Sequence, residues 1–320
     1  KAGMSLLETL KQKPGALVAC DDDPEAVFEL MCSKGWSDGL PVIPPTAERV
    51  ERMLAWCDRD LDKPVLNIPP RFGAATPVRI AANAVMAGCK PEHFPLVLLA
   101  LEALADEQYN LYGTQATTHP CTPMLIFNGP AAKEAGLNAG QNAMGNYFRA
   151  NAVIGRAVRL ALVNIGAAIP GTGDMATTGT PAKFTFCVAE NEEQSPWDPL
   201  HVELGFPRES SAVTVIAAEG PHNVNDHESL NAEGILTMVA GTMTITGSNN
   251  PYYPGQPLLA FGPEHAATVA VDMAHVHGAK LTVLYVVDPY PYLGVGETNP
   301  MGFQSNPPSS NIGRPALRAP

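Results

Sequence analysis

From about residue 65 onward the chain alternates short apolar runs with longer helical segments, and this alternation directs it toward an α/β fold. The runs Met124–Phe127, Lys183–Ala189, Ala212–Ala218, Leu258–Phe261 and Leu281–Val287 are rich in Val, Ile, Phe and Thr, side chains that suit a largely buried sheet. Helical patterns over Pro77–Gly88, Pro91–Asp106, Asn146–Ile165, Ser229–Thr242 and Pro263–His277 lie between and around them. The expected architecture is α/β, a mixed or largely parallel sheet flanked by helices, with its core over residues 65–288. A helical N-terminal segment, 1–64, precedes it, and an extended C-terminal arm, 289–320, follows.

The N-terminal segment reads as three short helices, the last opening on Thr46 as its N-cap. Before it runs Gly35–Pro45, a loop made rigid by three prolines that fix φ. The tail beyond Asp288 has almost no apolar periodicity and many Pro, Asn, Ser and Gly residues, which predicts an arm laid over a neighbouring subunit or domain.

With only 16% charged residues against 45% hydrophobic, the surface is poor in charge for a chain of 320 residues. That imbalance predicts that a partner chain or copies of the protein itself cover part of the exterior. A net charge of -12 without any basic run argues against nucleic acid and anionic lipid as partners. The six cysteines form no CxxC pair, so they read as free thiols in a reducing compartment. No stretch reaches the roughly 18 apolar residues of a membrane span, and no charged-then-apolar leader opens the chain, so a cytoplasmic location is expected.

The stretch most suggestive of chemistry is Thr117–Pro123, TTHPCTP. Two residues apart on a strand, His119 and Cys121 would point to one side, and the imidazole would serve as base or as the cation that lowers the thiol pKa. Thr118 beside them would contact substrate. Glu190, Glu192 and His201 follow the run that ends at Ala189, where α/β folds place ligands, and they suit acid/base work. Another polar stretch, Glu219–His227, also follows an apolar run. Its His222 and Asp226, with Glu190 and His201, would make a His/carboxylate set for a divalent metal ion. Arg149 and Arg156 lie seven residues apart on one stripe of the most apolar helix. Buried there, they would require an anion, and a substrate carboxylate would serve. Backbone amides and hydroxyls of the Gly-rich connection 166–181 offer a second place for an anion, although the stretch fits no nucleotide motif. On the rigid loop, Trp36 would bind substrate and Asp38 would close or orient the site.

Trp36–Thr46, WSDGLPVIPPT, together with Ala189–His201, AENEEQSPWDPLH, resembles the large N-terminal region of the UGSC-motif (seleno)protein family, over roughly residues 30–290. The resemblance implies a bacterial cytoplasmic protein related to chains whose smaller second domain carries selenocysteine or cysteine followed by Gly-Ser-Cys. That small domain is similar to the selenocysteine-bearing region of the glycine and betaine reductase complexes. Thiol-linked redox or reductive cleavage of a small organic substrate is therefore implied. No Cys-Gly-Ser-Cys occurs in this chain. The motif is expected on another polypeptide, which makes this chain the substrate-binding and catalytic subunit of a two-component enzyme, an oxidoreductase, in a hetero-oligomer with a Cys- or Sec-containing subunit or in a homo-oligomer. The rivals are a metal-dependent hydrolase or lyase using Glu190, His201, His222 and Asp226, and a non-catalytic scaffold or maturation subunit of a redox complex.

Overall fold

Each of the three N-terminal helices begins at a polar side chain that accepts a backbone amide left without an intrahelical partner. In a computed structural model describing residues 5–12, 16–248, 257–277 and 285–286, Ser5 caps α1 (Leu6–Lys11), Asp23 caps α2 (Pro24–Ser33) and Thr46 caps α3 (Ala47–Leu54). Val27 and Met31 of α2 and Val50 and Met53 of α3 join the main core. The chain then forms a short antiparallel hairpin, β1 (Leu66–Ile68) and β2 (Gly73–Ala75). Three helices follow, α4 (Pro77–Ala87), α5 (Phe94–Leu104) and α6 (Leu111–Ala116).

The central strand, β3 (Thr122–Asn128), is buried along its whole length. After it come α7 (Pro130–Glu134), α8 (Arg149–Asn164), β4 (Cys187–Ala189), α9 (Leu200–Glu203) and β5 (Ala212–Ala218). β4 pairs parallel to β3 and β5 pairs antiparallel on its other side, so the sheet is mixed, with the order β4-β3-β5. Alternation along β3 divides the core between two faces. Leu125 and Phe127 pack with Cys187, Ala189 and residues of α4, α5 and α8, whereas Met124 and Ile126 pack with Phe186, Val188 and Leu200. Gly155 lets α8 lie close to the approach to β4, because a Cβ there would come within 2.3 Å of Thr185 Oγ1. Towards the C-terminus stand α10 (Ala232–Met243), β6 (Ala260–Phe261), α11 (Pro263–His277) and β7 (Tyr285–Val286), with β6 and β7 parallel. None of the helices among the described residues is long and apolar enough to cross a membrane.

The α/β character and the flanking helices agree with expectation. The strand expected over Lys183–Ala189 is shorter, because Pro181–Lys183 winds into a 3-10 turn and extended pairing starts at Cys187. Pairing also covers only the last two residues of Leu258–Phe261. The β1–β2 hairpin escapes a periodicity reading because three-residue strands hold too little alternation. The arm over 289–320 lies outside the described residues.

The proline-rich loop is tied to α8 by an ion pair. Arg156 Nε donates to Asp38 Oδ2 at 2.7 Å and its Nη2 to Asp38 Oδ1 at 2.7 Å. The same Nη2 reaches the carbonyl oxygens of Leu40 at 3.2 Å and Pro41 at 3.0 Å. Asn164 adds a bond from its side-chain amide to the Trp36 carbonyl at 3.0 Å. The two charged side chains are only 14% and 16% exposed, so removing one leaves its partner charged and poorly solvated. Arg156→Met is expected to destabilise the protein by about 3 kcal/mol in denaturant unfolding. Arg156→Lys is expected to restore only part of that loss, since an ammonium cannot bond both carboxylate oxygens in a fork.

Candidate functional site

Because β5 runs antiparallel to β3, the segment entering β3 and the segment leaving β5 meet. Thr122 pairs with Ala218, and the residues just outside the pair are His119-Pro120-Cys121 on one side and Glu219-Gly220-Pro221-His222 on the other. There His119 Nδ1 lies 3.3 Å from Glu219 Oε1. Next to this pair opens a cavity of about 1000 Å³. Met124 and Ile216 of the sheet, Phe186, Ile235 and Val239 of α10, and Phe261 give it apolar walls. Its polar lining includes His119, Cys121, Glu219, His222, Asp226 and His265. A large concave apolar site with a few convergent polar groups is the usual form of a small-molecule site.

Cys121 is not an activated thiolate at rest. Burial, then the nearby charge of Glu219, push its pKa above the ordinary thiol value, and Lys183 opposes them. The sequence offers the imidazole as base or as the cation that lowers this pKa. His119 faces the Glu219 carboxylate, and the charge of Glu219 also acts on the sulfur. Nor do His119 and Cys121 share a face through strand alternation, because β3 starts only at Thr122, yet both line the cavity. Thr118 is bound into the Gly-rich connection, its carbonyl accepting from the Thr177 amide at 3.0 Å, while its neighbour Thr117 lines the cavity.

Glu190, Glu192 and His201 belong to a different place. Glu190 and Glu192 follow β4, whose C-terminal end lies beside that of its parallel neighbour β3. Asn128, the last residue of β3, donates its amide to Glu190 Oε2 at 2.6 Å and to Glu192 Oε1 at 3.0 Å. The backbone amides of Leu200 and Gly129 complete the arrangement, donating to Glu190 Oε2 at 2.9 Å and to Glu192 Oε1 at 2.7 Å. Gly129 turns the chain there at φ +81°, against the carbonyl of Ser210. His201 is fully buried, with Nε2 3.2 Å from the Arg208 carbonyl oxygen. Glu190 is 5% exposed, and burial pushes its carboxyl up to about 7 despite the bonds it accepts. A hollow of about 230 Å³ borders Glu190 and Glu192.

The expected metal quartet is therefore divided. Glu190 and His201 stand at the C-terminal end of β3, and His222 and Asp226 follow β5, whose antiparallel run brings its end to the opposite one. Seven strand residues separate the two ends, about 20 Å at the usual rise. The expectation that loops following successive strands converge holds for parallel neighbours and fails for an antiparallel one. Among the described residues no three His, Cys, Asp or Glu side chains gather as a metal site, so the set does not fit a divalent ion.

The arginines expected to hold a substrate anion are engaged elsewhere. Arg156 pairs with Asp38, and the exposed Arg149 donates to the Gly88 carbonyl at 2.9 Å. Neither they nor Trp36 and Asp38 line the cavity. The buried arginine of α8 is Arg159, three residues beyond Arg156. It lies 3.5 Å from Asp174, whose carboxylate accepts Lys183 Nζ on both oxygens, at 2.7 and 2.6 Å. Asp174 thus supplies from within the chain the anion expected at the Gly-rich connection. His265, in the first turn of α11, lines the cavity and carries no motif that marks it in the sequence.

Two measurements check these environments. Site-resolved alkylation of Cys121 by iodoacetamide is expected to rise with a pH midpoint above that of a cysteine in a short peptide, and Glu219→Gln is expected to move the midpoint down. For Glu190 the folded carboxyl holds its proton to higher pH than the unfolded one, so its contribution to stability is present at pH 4 and is lost as pH rises through about 7. Glu190→Gln keeps an acceptor for Asn128 and Leu200 without a charge to bury. Its melting temperature is expected to exceed that of the native protein at pH 8 and to converge with it toward pH 4.

Protein-family models, curated proteins and solved structures give no match to this chain, so its function is to be sought in the geometry of the cavity.

Proposed function

We propose that the chain handles a small organic molecule in the large cavity by thiol-linked chemistry, with Cys121 as the reacting thiol, His119 as its base and Glu219 as the group that orients the imidazole. The observation that carries this reading is the meeting of His119, Cys121 and Glu219 on the wall of one cavity. With the Glu219 carboxylate 3.3 Å from Nδ1, the tautomer protonated at Nδ1 is favoured, and in that tautomer Nε2 is the basic nitrogen. The raised pKa of Cys121 keeps the thiol protonated until a base takes its proton, so reactivity depends on His119 rather than on a standing thiolate. The buried Lys183–Asp174–Arg159 cluster carries one more positive than negative charge, and Lys183 favours the thiolate once formed.

The resemblance to the UGSC-motif family supports a redox form of this chemistry, in a bacterial cytoplasmic complex where a Cys- or Sec-containing subunit supplies the electrons. A second reading draws on the same raised pKa: the His119–Glu219 pair moves a substrate proton and Cys121 is only part of the wall.

p-Nitrophenyl acetate, a small chromogenic ester, tests the thiol directly. A burst of nitrophenolate close to one per chain is expected, absent in Cys121→Ala and slowed about a hundredfold in His119→Gln. Steady nitrophenolate release without a burst, unchanged by Cys121→Ala but slowed by His119→Gln, would transfer the chemistry to the second reading. Indifference to both substitutions would remove the site.

A further inference from the structure

We propose that His265 anchors the molecule bound in the large cavity: its Nδ1 takes a hydrogen bond from a neutral donor, a hydroxyl or an amide N–H, carried on an apolar body. The inference rests on the reading of this cavity as the substrate site and adds the group by which the ligand is recognised.

His265 stands in the first turn of α11 and lines the cavity. The turn is fixed from the core side, where the next residue, Ala266, is fully buried in a cluster with Ile235 and Val239 of α10 and Phe261, and donates its amide to the Gly262 carbonyl at 2.9 Å. Farther along α11, Asp272 Oδ2 accepts the Ala232 amide at the start of α10 at 2.7 Å. The imidazole is fixed from the loop side as well, with Nε2 3.1 Å from the main-chain carbonyl oxygen of Asp226. That part of the loop is itself braced, since Asp226 Oδ1 accepts the amides of Glu228 at 3.2 Å and Ser229 at 3.0 Å.

The bond to Asp226 determines what the ring offers. A carbonyl oxygen only accepts, so Nε2 carries the proton, and in the neutral ring Nδ1 is the acceptor. Nδ1 takes no hydrogen bond from any described residue and keeps surface open to solvent. Water displaced from such a nitrogen by a ligand has to be replaced by another donor, or the bond is lost. A carboxylate or an ether has no hydrogen to give there. A site built to take an O–H or N–H rejects the analogue that lacks it more sharply than apolar walls reject a change of size. Those walls, described above, receive the rest of the molecule.

The test titrates 2-naphthol and 2-methoxynaphthalene, which share an apolar body and differ in the donor, into the full chain by fluorescence at pH 8, where an ordinary imidazole is neutral and a phenol keeps its proton. The ratio of the two affinities is compared between proteins, so that the contribution of the added methyl group cancels. In His265→Gln the amide stands at the place of Nε2 and still donates to Asp226, whereas the acceptor at the place of Nδ1 is gone. His265→Asn does the reverse, setting an oxygen near the place of Nδ1 and giving up the bond to the loop. The preference for 2-naphthol is expected to fall about fivefold in His265→Gln and to be largely kept in His265→Asn. A preference kept in His265→Gln and lost in His265→Asn would make the residue a tether of the loop and overturn the inference, as would a ratio unchanged in both. Loss in both upholds it if the melting temperatures stay native and overturns it if they fall. Should neither probe bind the native protein, the inference fails, while the dependence of the nitrophenolate burst on Cys121 decides the thiol reading separately.

Discussion

The burial of β3 on both faces is the constraint on which the rest of the structure depends. A strand with helices packed on one face and a second core on the other has no room for a charged side chain along its length, and its seven residues, Thr122–Asn128, contain none. Its polar residues stand at the two ends: Thr122 adjoins the Cys121 segment and Asn128 the paired glutamates. The sheet thereby confines polar side chains to the strand termini. Which loops meet at each end is decided by pairing direction, with β4 parallel and β5 antiparallel.

The distribution of charge follows a related rule. Removed from water, an ion is tolerable only with a partner, and this chain provides its buried cations with anions from its own sequence. Asp38 answers Arg156 across 118 residues, and Asp174 answers Lys183 and Arg159. These pairs fasten two irregular segments, the proline-rich loop and the Gly-rich connection, onto α8 and its neighbourhood. Among the described lining residues of the large cavity the acidic and basic side chains are carboxylates and imidazoles, and the Cys121 thiol responds to its burial and to the balance between Glu219 and Lys183.

Local chemistry in the sequence was legible where it acts locally. Thr46 as an N-cap, α11 over Pro263–His277 and β5 over Ala212–Ala218 are decided by capping and periodicity within a few residues, and these agree with the structure. The need of Arg156 for an anion was equally visible, but not its answer, because a partner in a distant loop is a tertiary fact. Arg149, on the same stripe, lies near the exposed start of α8, where periodicity alone does not report burial. The metal set failed for a topological reason: hydrophobic runs do not disclose strand direction. Cys121 and His119 stand out as candidates from their composition, while the Glu219 carboxylate beside them follows a strand about a hundred residues later, brought alongside by the β3–β5 register.

The placement of polar groups at opposite ends of β3 also makes the two neighbourhoods energetically independent. Coupling between side chains generally fades beyond about 7–10 Å, and the intervening strand is roughly twice that length. Perturbations in the Glu190 neighbourhood and around His119 should therefore sum without cross-terms, so that the pH response of one leaves the other unmoved. The rigid strand that brings residues together at each terminus is also what insulates one terminus from the other.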